Sequence, residues 1–224
     1  RPRDAQRHEI DEMQPAIGPL MKAWSKHLEI GPRGPAVLLD LSPRLNEDQR
    51  ALVDATIETT FPGITRTWEY LSQGGGRIDR LSVWIGSLSS KSPSRCVRMG
   101  RKKIMATIEG KIAESEEVSM SKPPPFGAHL TIVDPALVQS GLQESWLERA
   151  LPEDAGHSWL RLDGRRPLLI STERLNKDEE IDAFVVASGE IVQHRLTPPE
   201  LHTIEQTAAA AARNGVGKIT LRCT

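Results

Sequence analysis

Cysteine is nearly missing from this chain. Cys96 and Cys223 are the only two, they stand far apart, and neither belongs to a C-x-x-C pair. Two thiols cannot complete a zinc site alone or build a disulfide framework, so a reducing intracellular setting, cytoplasmic or nuclear, is expected. Long apolar runs are missing as well. Nothing approaches the roughly 18 residues that a membrane-crossing helix needs, and no membrane partner is expected. Aromatic residues are scarce: five Trp, three Phe and one Tyr leave little material for a base-stacking RNA platform. Nor does one sign of charge dominate. The 29 basic and 30 acidic side chains give a net charge of -1, whereas a general nucleic-acid coat would be strongly basic. The sequence also lacks a His pair at i, i+4, a G-x-S-x-G elbow and a phosphate-cradling Gly-Lys-Ser/Thr loop.

What is present describes an ordinary folded protein. At 224 residues, with 38% apolar and 26% charged positions, the chain is long enough to bury a real core. It starts at Arg1 without a signal-peptide core, which reads as a piece excised from a longer chain.

Residues 4–28 place Ile10, Met13, Ile17, Leu20, Met21, Trp24 and Leu28 on one helical face, with Pro15, Gly18 and Pro19 expected to bend or split the helix. After the breaker "GPRGP", "AVLLDL" reads as a strand. Asn46 and Gln49 form a capping-box pair for a helix that Pro62-Gly63 closes. Strands are expected at 64–71 and 79–88, then a Ser-rich and basic loop. Residues 104–117 fit either a strand over Ile104–Ile108 or a helix, and "KPPP" marks a linker near 122. Beyond it come a strand at 128–134 and one helix over 135–151. Hairpins are expected to turn at Asp163-Gly164 and Ser188-Gly189. A capped helix follows at 197–214, and then a last strand. The expected fold is α+β or α/β, a mixed sheet flanked by helices in two lobes, residues 1–121 and 122–224.

Asp40 ends an apolar run just before a helix, where open α/β sheets place ligand groups. Asp40 and Ser42 resemble part of the D-x-S-x-S metal-adhesion motif of von Willebrand A-type domains, with Arg44 in place of the second hydroxyl. Asp134 repeats the strand–Asp–helix arrangement, and two such aspartates could share one Mg²⁺ for phosphodiester hydrolysis. Both also stand where a helix start wants a cap, which is the preferred reading. Asp79 with Glu109-Gly-Lys111 resembles the skeleton of metal-dependent nucleases, a triple too common in charged helices to carry the argument. His129-Leu-Thr131 resembles one copy of the paired motif of two-histidine phosphoesterases, and the second copy is lacking.

The most usable binding feature is the basic run of Lys91, Arg95, Arg98, Arg101, Lys102 and Lys103, six cations beside serines that also donate to phosphate. The expectation is therefore a non-enzymatic nucleic-acid-associated or assembly module, a piece of a larger replication or viral machine. RNA or DNA would sit on the basic run, a protein partner on the N-terminal amphipathic helix, and no cofactor is expected. The five-alanine run near the C-terminus permits close helix packing, read first as packing in the core and second as a surface for a homo-oligomer. Two alternatives stand beside it: a Mg²⁺-dependent phosphodiesterase or nuclease with Asp40 and Asp134 as catalytic carboxylates, and a Rossmann-like regulatory domain binding a small ligand.

Overall fold

A computed structural model describes residues 16–28, 31–32, 34–74, 76–113, 124–160, 167–192 and 209. In chain order the elements are α1 (Ile17–Ser25), β1 (Ala36–Leu41), α2 (Glu47–Thr60), β2 (Arg66–Ser72), β3 (Arg80–Gly86), β4 (Ser94–Met99), β5 (Ile104–Gly110), β6 (His129–Val133), α3 (Pro135–Gln139), α4 (Gln143–Ala150), β7 (His157–Leu160), β8 (Leu168–Ser171), α5 (Glu179–Asp182) and β9 (Val185–Glu190). They build an α+β fold with a five-stranded mixed sheet, order β1-β3-β2-β4-β5, and a four-stranded antiparallel sheet, order β7-β8-β6-β9.

Local signals explain the first half. Asn46 Oδ1 accepts from the Gln49 amide and Gln49 Oε1 from the Asn46 amide, which satisfies two donors that the start of α2 would otherwise leave bare. Gly18 and Pro19 lie inside the first turn of α1, where a missing N–H costs nothing, so Pro19 does not split that helix. Ile17 and Met21 are buried while Trp24 is 41% exposed. The N-terminal part of the expected helix, with Ile10 and Met13, lies outside the described residues.

The sheet order follows from one insertion. β1 and β2 both run antiparallel to β3, which lies between them, and α2 connects the outer pair. β4 then pairs parallel with β2, and β5 returns antiparallel beside it. Among the described residues only one ladder is parallel, which is not the pattern of a doubly wound sheet.

Several expectations change here. The basic stretch at 94–99 is strand β4 rather than loop. Of the strand and helix alternatives for 104–117, the strand is the one found, as Ile104–Gly110, and residues 114–117 lie outside the described residues. The helix expected over 135–151 is two, because Gly141 adopts φ +70° and turns the chain between α3 and α4. A Cβ there would also meet Ile112 Cγ2 at 2.6 Å. Ser188-Gly189 is no turn: β9 runs straight through both residues, paired with Thr131 and Leu130 of β6. Thr131 Oγ1 and Ser188 Oγ lie 2.8 Å apart, and the preceding chain is helix α5, started by Asp178. β7 and β8 pair as expected, while their Asp163-Gly164 bend and the helix expected at 197–214 lie outside the described residues, apart from Ala209.

The change from one sheet to the other falls between β5 and β6; the linker expected at 122 lies outside the described residues. One apolar cluster nonetheless spans both sheets, from Val37, Val53 and Ile85 through Cys96 and Ile108 to Leu137, Trp146 and Phe184. Polar bonds cross the same seam. Ser72 Oγ donates to Asp134 Oδ2 (2.5 Å), Ser94 Oγ to the Ser140 carbonyl (2.7 Å) and Arg98 Nε to the Ala183 carbonyl (2.9 Å).

Candidate functional site

Strand pleating decides what each cation of the basic run can do, because successive side chains leave a strand on opposite faces. In β4, Ser94, Cys96 and Arg98 point toward the shared core, and Arg95 points to the other face. Asp40, Ser82, Glu69, Arg95 and Glu109 stand in register across all five strands on that second face. Arg95 Nη2 lies 2.7 Å from Glu69 Oε2 and Nη1 3.4 Å from Glu109 Oε1. Its guanidinium also sits 5.4 Å from the centre of the Trp84 ring. Arg95 is thus held by two carboxylates and an indole. Arg98 is held as well: Nε donates to Ala183 and Nη1 to the Met99 carbonyl (2.7 Å). Its guanidinium packs under Gly74, which adopts φ +84° and has no room for a Cβ.

The remaining four cations are exposed, and among the described residues none of them forms an ion pair. They do not form one surface. Lys91 lies in the β3–β4 connection, at the end of the sheet where β4 begins. Arg101, Lys102 and Lys103 form the tip of the β4–β5 hairpin, closed by a Gly100 N–H to Lys103 carbonyl bond of 2.8 Å. Six residues of strand, about 20 Å, separate the two positions.

The parallel pairing of β2 with β4 adds a cation that sequence spacing does not reveal. Ser72, the last residue of β2, stands opposite Arg98, so the β2–β3 turn and the β4–β5 turn share one end of the sheet. Arg77, on that neighbouring turn, is 76% exposed at its side chain. Asp79 accepts from the Gln73 amide (2.7 Å) and from Arg77 Nε (3.4 Å), which fixes the turn. The candidate site is therefore Arg77, Arg101, Lys102 and Lys103, with Arg95 and Arg98 bracing the strand behind it.

The candidate carboxylates disperse. Asp40 is neither at a strand end nor a helix cap. It sits inside β1 with its side chain 61% exposed, 3.5 Å from Arg80 Nε and from Ser82 Oγ. Asp134 is the expected cap, accepting from the Ala136 amide at 3.0 Å, and is 1% exposed. Its partner Ser72 points to the core side of the sheet and Asp40 to the other side, so the two aspartates share no ion-sized space. Asp79 lies in the β2–β3 turn, one residue before β3, and Glu109 in β5, with β2 and β4 between those two strands, so the two carboxylates are not neighbours. No group of three or more His, Cys, Asp or Glu side chains among the described residues is arranged to hold a metal.

Two open grooves lie on the surface of the described residues. One of about 560 Å³ lies between α1 and α2, lined by Gly18, Lys22, Leu52 and Thr56. The other, about 650 Å³, lies along the 31–35 and 60–65 turns. Neither gathers an acid–base pair. No helix among the described residues is long and apolar enough to cross a membrane. The chain matches no family model, no curated protein and no solved structure.

Proposed function

We propose that this chain is a non-enzymatic binding module that contacts the phosphate backbone of RNA or DNA through the basic end of its five-stranded sheet. One observation carries the reading: parallel β2–β4 pairing puts the turn of Arg77 and the exposed tip Arg101–Lys103 at the same end of the sheet. Point charges on turns suit phosphate, which needs no shaped pocket, and they position without reading sequence. The dispersal of Asp40, Asp79, Glu109 and Asp134 favours binding over metal-assisted hydrolysis.

Four phosphate contacts should make log affinity fall with log salt at a slope of about -3.6. Fluorescence anisotropy with a labelled oligonucleotide across a salt series measures this slope. Replacing Arg77, Arg101, Lys102 and Lys103 with Ala should remove most of the affinity and flatten the slope, while Lys91→Ala leaves both near the parent values. Affinity that survives the fourfold replacement, or a slope near zero, overturns the reading.

A further inference from the structure

Ile104 and Met105 follow directly on Lys103, and both hold large apolar side chains in water, 58% and 46% exposed. They open β5, an outer strand, on the two faces of its pleat. Met105 leans back over the hairpin, where a Cβ on Gly100 would meet its Cγ at 3.1 Å. Three cations therefore stand at the tip, with two apolar side chains immediately behind them. A sugar–phosphate backbone buries little apolar area and gives this pair nothing to do. A lipid interface uses both kinds of group: anionic headgroups attract the cations, and the boundary with the acyl chains takes up the apolar ones.

We propose that the β4–β5 hairpin tip docks end-on to an anionic bilayer surface. Arg101, Lys102 and Lys103, with Arg77 at the same end of the sheet, meet the headgroup charges while Ile104 and Met105 enter the headgroup–acyl boundary. Residence at an interface needs no spanning helix, and the proposal departs from the expectation of no membrane partner. α5 sets the approach. It packs beside β5 and carries Glu179 and Asp182, with Glu180 paired to Arg149 at 2.6 Å, so an anionic surface is repelled from that face and admitted at the tip. The proposal goes beyond the nucleic-acid reading and borrows its cations, so the two ligands compete.

Each cation near an anionic surface raises partitioning about five-fold, and each apolar side chain inserted raises it about ten-fold. Stable attachment takes both signals together. The test is flotation of the full chain with phosphatidylcholine vesicles, with and without phosphatidylserine. The expected result is co-flotation with the anionic vesicles alone, lost at high salt. Ile104→Ser with Met105→Ser should lower partitioning about 100-fold and leave oligonucleotide affinity unchanged. Replacing Arg101, Lys102 and Lys103 with Ala should lower both. These positions are exposed, and circular dichroism melts of each variant establish that the fold is kept. Three results overturn the proposal: no flotation, equal flotation with neutral vesicles, or flotation indifferent to the Ile104/Met105 change. Oligonucleotide binding that persists alongside such a result leaves the nucleic-acid reading standing. Flotation without oligonucleotide binding removes that reading and keeps this one.

Discussion

Tyr70 is the chain's single tyrosine and lies on the core side of β2, 5% exposed. Burial pushes its phenol up to about 12, with Arg50 opposing and the charges of Asp54 and Cys96 adding to the rise. Burial likewise raises the Cys96 thiol, helped by Asp134 and opposed by a Ser140 contact. Both groups are kept protonated by the fold, so their contribution is complete below the unfolded values. For Tyr70 it is lost as pH rises from about 10 to about 12. Phenolate absorbance should rise near pH 12 in the native protein and near 10 in urea; a native titration at the unfolded value would mean that the phenol is not buried. At this scale some roles were readable and others were not. Asp134 is a cap because its reason is local: a carboxylate, then Pro, then a helix. Asp40 misled, since "AVLLDL" looks like a continuous buried run. In fact Leu38 is 45% exposed and the strand alternates, so Asp40 belongs to the wet face.

Strand β4 sorts the basic run into two kinds of residue. Arg95→Ala should cost about 2 kcal/mol, because Glu69, 9% exposed, loses its charge partner. Arg101→Ala, Lys102→Ala and Lys103→Ala should each stay within about 0.5 kcal/mol. Urea unfolding of the four variants makes the comparison; equal effects would mean that Arg95 does not bind across the sheet as described. Elements set by neighbouring residues, such as the capping box of α2, can be read directly from sequence. Elements set by distant partners cannot. Ser188-Gly189 has good turn chemistry, yet β6 claims it as strand, and only the β2–β4 ladder puts the turn of Arg77 at the same end of the sheet as the turn of Lys102.

Among the described residues the main core is shared by two sheets, with the Ser72–Asp134, Ser94–Ser140 and Arg98–Ala183 bonds crossing between them, and a smaller cluster of Ala128, Leu160 and Ile170 lies apart from it. The linker expected at 122 lies outside the described residues, and such a signal carries no information about how much apolar surface the segments on either side bury against each other.

The place of β3 between β1 and β2 has a consequence in time. β1 leaves the ribosome first, yet its ladder partner is made some forty residues later, since Leu41 pairs with Leu81. At about 5–20 residues per second, β1 waits unpaired for a few seconds with Val37, Leu39 and Leu41 uncovered. Through that interval its edge is open to the same strand of another nascent chain, and Asp40 is the one charge along it. Asp40→Val should hardly alter the stability of the finished fold, because the Arg80 contact is weak and solvated. Light scattering during refolding from urea should rise clearly above the parent. Identical scattering would mean that Asp40 gives the waiting strand no protection.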